Sequence, residues 1–215
     1  MKIGLVTMGL NTVDNNRGAP GTWNQYVQDQ LKGDYRRVDL KKTAHIQELQ
    51  KVLKCLIPDA VKKYDSIIYV DCRRFGDPDH DPSLRSHRGT HPATLQGFLR
   101  QHGSSTWFFK MVTKEVLEAS KRADNVMFVL ACKKGRHRSV AASYLFGAFA
   151  DPLGWTVEGH NLADGSGRLC PMSCPECFHT SDHAVKIATE VCTNAVEKWN
   201  QGWEALDNKE PLHSS

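Results

Sequence analysis

Three features are missing from this sequence, and each absence excludes a class of protein. No apolar run approaches the ~20 residues that a helix needs to cross a bilayer, so the sequence predicts no membrane-spanning segment. No glycine-rich loop ends in Gly-Lys-Ser or Gly-Lys-Thr, which excludes a nucleotide site of the P-loop type. Aromatic residues make up only 8% of the chain, and no stacking motif interleaves with its basic groups, so specific contact with nucleic-acid bases is not expected.

Repeats, low-complexity tracts and clear interdomain linkers are also missing from the 215 residues. One α/β domain over residues 1–205, with a frayed tail at 206–215, is therefore the simplest organisation. Without a convincing secretory signal, we expect a cytoplasmic protein whose seven cysteines are reduced, metal-bound or catalytic. The net charge of +4 permits phosphate or nucleic-acid partners without requiring them.

The most informative stretch covers residues 125–142. Five consecutive apolar residues predict a strand buried on both faces of a parallel sheet: Val126, Met127, Phe128, Val129 and Leu130. A short basic loop with Gly135 near its centre follows, and the apolar run after Ser139 predicts a buried helix. Helix amides without partners and the positive end of the helix dipole converge in such a loop. The sequence therefore predicts a phosphate or other anion here; a solvated basic turn is the alternative.

Hydrophobic periodicity predicts the elements around this strand. Further strands are expected at 2–8, 35–40, 66–70 and 154–157. Helices are expected from Thr22, over 44–64 with a break at Pro58, over 92–101 and 106–123, and from 180 or 181 to about 199. Together they predict a mostly parallel sheet flanked by helices, with the phosphate-binding strand, loop and helix at its carboxyl edge.

A second long loop, residues 71–92, follows the predicted strand 66–70 and is rich in proline, glycine and aspartate. Open α/β sheets bind ligands at the carboxyl ends of their strands, so we expect this loop and the 132–138 loop to open on one edge. Their basic residues would then surround one anion: Arg73, Arg74, Arg85, Arg88, Arg136, His137 and Arg138. Asp71 is expected either to accept hydrogen bonds from a sugar hydroxyl or amine, or to cap the loop.

Cys132 and Arg138 are separated by five residues, and Ser139 follows directly. This spacing resembles the signature of cysteine-dependent phosphatases, whose loop amides and arginine bind a phosphoryl group beside a thiolate nucleophile. Ala131 and His137 depart from that pattern, which normally has histidine and glycine there. Under this hypothesis the general acid is one of three aspartates: Asp77, Asp79 or Asp81.

A more extensive resemblance is to the RapZ C-terminal domain family. It rests on two motifs, the first containing Asp71, Arg73, Pro78, Pro82, Leu84, Arg85, Gly89 and Pro92, and the second containing Cys132, Gly135, His137, Arg138, Ser139, Val140 and Ala141. The similarity covers about residues 66–145, with 20–64 as an apparent insertion.

This resemblance implies an α/β domain that binds an amino-sugar phosphate, glucosamine-6-phosphate, in a sensing or adapter role. In the bacterial adapter it also implies binding of small RNAs that are presented to a ribonuclease. The ligand-pocket positions that it implies here are Asp71, Arg73, Cys132, Gly135, His137, Arg138 and Ser139.

A cysteine and histidine segment at 160–183 forms a separate candidate site. Cys170, Cys174 and Cys177 fall within eight residues, and the fourth ligand is one of three histidines, His179 (the nearest), His160 or His183. Three thiolates and one imidazole would satisfy a tetrahedral structural zinc ion. Reduced, unligated cysteines are the next interpretation, and an iron-sulfur cluster, which the spacing also permits, is the third.

A second basic group consists of Arg36, Arg37, Lys41 and Lys42. Basic surface without base-reading residues predicts weak, salt-sensitive RNA binding, and a solvated face is the simpler interpretation. The sequence as a whole therefore favours a protein that binds or senses a phosphorylated small molecule over an enzyme.

Overall fold

A computed structural model describes residues 1–13, 22–76, 81–84, 87–100, 114–115, 118–119, 121–150, 154–162, 174, 177, 189–190, 193 and 197. Within them, the strands are Lys2–Gly9 (β1), Ser66–Asp71 (β2), Asn125–Cys132 (β3) and Thr156–Asn161 (β4). The helices are Thr22–Leu31 (α1), Thr43–Leu56 (α2), Pro58–Val61 (α3), Pro92–Arg100 (α4) and Arg138–Ala150 (α5). The four strands form one parallel sheet in the order β2-β3-β1-β4. The predicted α/β class is confirmed.

The position of β3 explains why its sequence is an unbroken apolar run. It lies between β1 and β2, and successive side chains of a strand point to opposite faces of the sheet. Phe128 and Leu130 pack into the core formed with α4 and α5, whereas Met127 and Val129 pack into the core formed with α1 and α2. Both faces of the sheet are covered, so apolar residues are required at every position of β3.

Two predicted strands differ from the structure. The prediction of a strand at 35–40 is wrong. Tyr35–Arg37 forms a 3-10 helix instead, because the Asp34 side chain accepts the amide hydrogen of Arg36 (3.0 Å) and caps the turn. The last strand begins at Thr156 instead of residue 154, since Gly154 adopts a left-handed turn conformation with φ of 66°.

The predicted helix over 44–64 does break at Pro58, which occupies the first position of α3, where a missing amide hydrogen costs nothing. The predicted helix at 106–123 and the C-terminal helix fall largely outside the described residues.

Parallel pairing brings the carboxyl ends of all four described strands to one edge of the sheet, at Gly9, Asp71, Cys132 and Asn161. The loops after β2 and β3 therefore start side by side, as the sequence predicts. Among the described helices, none combines the length and apolarity needed to cross a membrane.

Candidate anion site at the carboxyl edge

The loop after β3 closes around the thiol of Cys132. The amide of Gly135 donates to Cys132 Sγ at 3.1 Å, and Ser139 Oγ lies 3.4 Å from the same sulfur atom. Gly135 has a φ of 75°, in the left-handed region that glycine tolerates best, and this turn directs its amide back over the sulfur. Cys132 is only 3% exposed and Ser139 is fully buried. The thiol is thus the centre around which the loop folds.

Helix α5 begins where this loop ends. The carbonyl of His137 accepts the amide hydrogen of Ala141 at 2.8 Å, which forms the first turn of the helix. The first amides of a helix have no partner within it and carry the positive end of the helix dipole. Five of the six residues from 133 to 138 can add positive charge, and Lys133 and Lys134 are exposed. The start of α5 is therefore strongly electropositive.

The end of β1 also belongs to this site, which the sequence analysis missed. The amide of Asn11 donates to the Lys133 carbonyl at 3.1 Å. Gly9 approaches the backbone of Lys134 so closely that a Cβ at this position would clash with it. The cause is the parallel pairing of β1 with β3, which sets Gly9 beside Cys132. That strand order has no local signature in the sequence.

Asp71 and Arg73 form an ion pair at the end of β2. Nε and Nη2 of Arg73 donate to the two carboxylate oxygens of Asp71 at 2.8 and 2.6 Å. The same guanidinium donates to the carbonyls of Tyr35 and Val38 at 2.9 and 2.5 Å. Asp71 also accepts the amide hydrogen of Arg73, so it caps the short 3-10 helix Cys72–Arg74. Four of the five N–H donors of Arg73 thus bind within the protein, and the pair holds segment 35–38 to the end of β2.

Arg138 connects the end of the 132–138 loop to the start of the 71–92 loop. Its Nη1 donates to the carbonyls of Arg73 and Phe75 at 3.3 and 3.1 Å. Cys72, which precedes Arg73 in the chain, is fully buried. Burial, followed by the neighbouring Cys132, raises the pKa of the Cys72 thiol well above its ordinary value, so this cysteine stays protonated at neutral pH. Cys72 therefore behaves as a small packing residue.

The segment 87–91 rests against the loop from the other side. His137 Nε2 lies 2.7 Å from the His87 carbonyl oxygen, and the Gly89 amide donates to the Arg136 carbonyl at 3.0 Å. A Cβ at Gly89 would clash with the His137 carbonyl and the Ala141 amide. The two loops predicted to share one edge are therefore in direct contact.

Of the three aspartates predicted as general acids, only Asp81 lies in the part of the chain that the structure describes. Asp77 and Asp79 lie outside the described residues, as does the predicted anion contact Arg85. Asp81 is exposed and accepts hydrogen bonds from the hydroxyl and the amide of Ser83 at 2.6 and 2.9 Å. These bonds lower the pKa of Asp81, so its carboxyl group is ionised at neutral pH and poorly suited to donate a proton.

The predicted metal ligands are only partly described. Cys174 and Cys177 are described, whereas Cys170 and His179 are not. Cys177 Sγ lies 3.2 Å from Nδ1 of His87, and His87, His91 and Cys174 bring one ligand atom each to within 4.8 Å of one another. His160 is instead on β4, 3.3 Å from Glu158. The sequence analysis missed His87 and His91, although their spacing of four residues was an available signal.

The second basic group is partly neutralised. Nε and Nη2 of Arg36 donate to the Asp34 carboxylate at 2.9 and 3.0 Å, and Arg37 lies 3.8 Å from the same group. The hydrogen bonds from Arg36 lower the pKa of Asp34, which keeps this carboxylate charged. Less positive charge thus remains for RNA than the sequence suggests.

The parallel sheet, with a strand, a basic loop and a helix in succession at its carboxyl edge, defines an open α/β fold. Ligands of such folds bind at the carboxyl ends of the strands. The family model of the RapZ C-terminal domain matches residues 58–160, so this part of the chain is similar to that family. The predicted resemblance is thereby confirmed. The match includes β2, α4, β3 and α5, whereas β1 lies outside it and still occupies the sheet between β3 and β4. Searches of the curated proteins and of the solved structures found no match for the chain.

Proposed function

We propose that the chain binds a phosphorylated small molecule, an amino-sugar phosphate such as glucosamine-6-phosphate, at the 132–139 loop, and acts in sensing or as an adapter. The observation that carries this proposal is the closed loop itself. Its amide at Gly135 is turned inward, α5 starts at Arg138, and its side chains are predominantly basic. The match to the RapZ C-terminal domain family supports a sensing or adapter role at the family level.

The chemistry of this loop suits a phosphoryl group. Amides at a helix N-terminus bind phosphate oxygens, and arginine adds charge-assisted hydrogen bonds. Arg138 is already held by the carbonyls of Arg73 and Phe75. A guanidinium fixed before binding loses little conformational freedom when a ligand arrives, which favours affinity.

The buried side chain of Asn11 favours a ligand that carries an amine. Its Oδ1 atom is buried and has no hydrogen-bond partner among the described residues. The amide of the same residue donates to the Lys133 carbonyl, so Asn11 lies directly beside the loop. A buried oxygen acceptor without a donor is costly, and the ammonium group of an amino sugar would supply a donor once the loop opens enough to expose this oxygen.

The first prediction concerns Arg138→Ala. Glucosamine-6-phosphate at ~100 times its Kd should stabilise the wild-type protein by about 2.7 kcal/mol, which raises Tm by roughly 5–10 °C for a chain of this size. Arg138→Ala should lose this ligand-induced shift, because the charge at the start of α5 is removed. The measurement is a thermal-shift titration, in which each variant is compared with its own ligand-free Tm.

Arg122→Ala is the matched control, since Arg122 is an exposed arginine that pairs with Glu118 just before the amino end of β3, away from the carboxyl edge that holds the loop. It should retain the full shift. Glucose-6-phosphate and inorganic phosphate separate the contributions of the amine and the sugar. A shift that survives in Arg138→Ala would locate the ligand elsewhere, and no shift with any phosphate would sink the proposal.

Cysteine-dependent phosphoester hydrolysis is a second candidate function. The observation that favours it is a pair of contacts to Cys132 Sγ. The Gly135 amide donates to this sulfur atom at 3.1 Å, and Ser139 Oγ lies 3.4 Å from it. These contacts hold the sulfur atom in one position at the base of the loop, as a cysteine nucleophile requires.

Cys132→Ser separates the two functions. A serine hydroxyl can still accept the Gly135 amide hydrogen, so we expect this variant to keep the ligand-induced shift in Tm. If the second function holds, release of p-nitrophenol from p-nitrophenyl phosphate should fall to background in Cys132→Ser, because a serine without an activating base is a poor nucleophile. Hydrolysis by the wild-type protein that persists in this variant would exclude Cys132 as the nucleophile.

A further inference from the structure

We propose that His87, His91, Cys174 and Cys177 form a zinc site that fastens the C-terminal part of the chain to the segment beside the 132–139 loop. One ligand atom from each of His87, His91 and Cys174 lies within 4.8 Å of the others. Cys177 Sγ lies 3.2 Å from His87 Nδ1, although these residues are 90 positions apart in sequence. Two pairs of zinc-ligand residues thus converge from separate segments.

A tetrahedral zinc site sets the spacing that these ligand atoms must reach. Zinc–sulfur bonds of ~2.3 Å and zinc–nitrogen bonds of ~2.0–2.1 Å place neighbouring ligand atoms about 3.3–3.8 Å apart. His87 Nδ1 and Cys177 Sγ are close to this spacing, 3.2 Å apart, whereas the atoms of His87, His91 and Cys174 lie within the wider limit of 4.8 Å, so closure around an ion requires these side chains to move inward. Two thiolates also balance the charge of Zn²⁺, which suits a site whose Cys177 is 3% exposed.

Further contacts orient these side chains. The amide of Arg88 donates to Cys177 Sγ at 3.5 Å, and Thr90 Oγ1 donates to the Cys177 carbonyl at 3.0 Å. The rings of His87 and His91 lie 4.1 Å apart between centroids. Backbone donors to a ligating sulfur and neighbouring rings held in place are the outer contacts that metal sites use to fix their ligands.

His91 has a structural role as well. Its carbonyl accepts the Leu95 amide hydrogen at 3.1 Å, and its Nδ1 accepts the Ala93 amide hydrogen at 3.2 Å, so it caps the start of α4. Coordination requires the ring to release this amide or to turn. A test must therefore separate capping from coordination, and asparagine does so because it is a good helix cap without an imidazole.

The site would also brace the candidate anion loop. His87 offers its carbonyl to His137 Nε2 at 2.7 Å, and the Gly89 amide donates to Arg136 at 3.0 Å. A metal that immobilises the 87–91 segment would therefore restrict the loop against which it packs. This consequence rests on the proposed function, whereas the metal site itself does not.

The experiment measures zinc per chain in the full-length protein after dialysis against excess zinc and then metal-free buffer. The wild-type chain should retain about one zinc ion. His87→Ala, His91→Asn, Cys174→Ser and Cys177→Ser should each retain less than about a tenth of that. His160→Ala and Cys55→Ser, which alter a histidine on β4 and an exposed cysteine, serve as controls and should keep the ion. Cys170→Ser and His179→Ala should keep it too.

Cobalt substitution provides a second measurement. The intensity of thiolate-to-cobalt charge transfer follows the number of thiolates, and two are expected here, against three for a site of Cys170, Cys174, Cys177 and His179. Far-UV circular dichroism of each variant without metal verifies that loss of zinc is not loss of fold.

Full zinc retention by His87→Ala and His91→Asn, or no zinc in the wild-type protein, would overturn the proposal. Loss of zinc in Cys170→Ser and His179→Ala, but not in the two histidine variants of the 87–91 segment, would also overturn it and assign the ion to the alternative set. The phosphate-induced shift in Tm is recorded on the same samples. A protein that lacks zinc but keeps this shift would refute the metal site and leave the proposed function intact.

Discussion

Gly89→Ala is expected to lower the free energy of unfolding by about 2–4 kcal/mol, the upper range for inserting one methyl group into a closely packed site. The new Cβ would be directed at the His137 carbonyl, the Ala141 amide and the Val140 side chain. The His137 carbonyl already accepts the Ala141 amide hydrogen at 2.8 Å in the first turn of α5. Backbone atoms cannot move aside as a flexible side chain would. The segment must therefore separate from the loop, or α5 must lose its first turn.

The measurement is thermal or urea unfolding, with a fall in Tm of roughly 5–15 °C. Gly147→Ala in α5 and Gly97→Ala in α4 are matched controls, because no described atom outside the local chain lies within 4 Å of a Cβ at either position. Alanine is favoured over glycine inside a helix by roughly 0.5–1 kcal/mol, so both controls should be slightly more stable than the wild type. Wild-type stability of Gly89→Ala would mean that the two loops do not pack in this way.

The central strand, its loop and α5 could be predicted from sequence because their determinants are local. An apolar run buried on both faces, a glycine that permits a positive φ at position 135, and an apolar helix after the loop are each visible within about 20 residues. The 3-10 helix at Tyr35–Arg37 is harder to predict from sequence, because tyrosine and the valine and leucine that follow also suit a strand. The hydrogen bond from the Arg36 amide to the Asp34 side chain stabilises the 3-10 helix over a strand.

The rest depended on contacts between distant segments. That β1 lies beside β3, and so brings Gly9 and Asn11 to the loop, follows from the strand order. The approach of Cys177 to His87 joins segments 90 residues apart. Local sequence patterns contain no record of such pairings, so the sequence predicts ligands for the cysteine cluster only from its own neighbourhood.

Asp71 and Arg73 illustrate a different limit. Residue types that suit a sugar phosphate also suit each other, and the structure pairs them in two hydrogen bonds of 2.8 and 2.6 Å. Composition cannot distinguish a ligand contact from an internal ion pair, whereas geometry shows that Arg73 is committed to Asp71 and to the carbonyls of Tyr35 and Val38. Contact of either residue with the ligand stays a prediction.

Asp71→Asn is expected to lower the free energy of unfolding by about 1.5–3 kcal/mol, somewhat below the cost of breaking a fully buried pair. The side chains of Arg73 and Asp71 are 20% and 26% exposed, so the unpaired guanidinium would be only partly solvated. Asparagine can still accept the Arg73 amide hydrogen, and the substitution therefore removes the charge while it keeps the cap. Tm should fall by roughly 3–12 °C.

Asp34→Asn is the matched control for this change. Asp34 caps Tyr35–Arg37 and pairs with Arg36 in the same arrangement, but the Arg36 side chain is 87% exposed. Water solvates that guanidinium when its partner is lost, so stability should change far less than in Asp71→Asn. Glucosamine-6-phosphate separates the two roles of Asp71: a purely structural residue lowers the ligand-free Tm and preserves the ligand-induced shift, whereas a contact residue abolishes the shift. Equal losses of stability in the two variants would contradict the role of Asp71 in fastening segment 35–38 to β2.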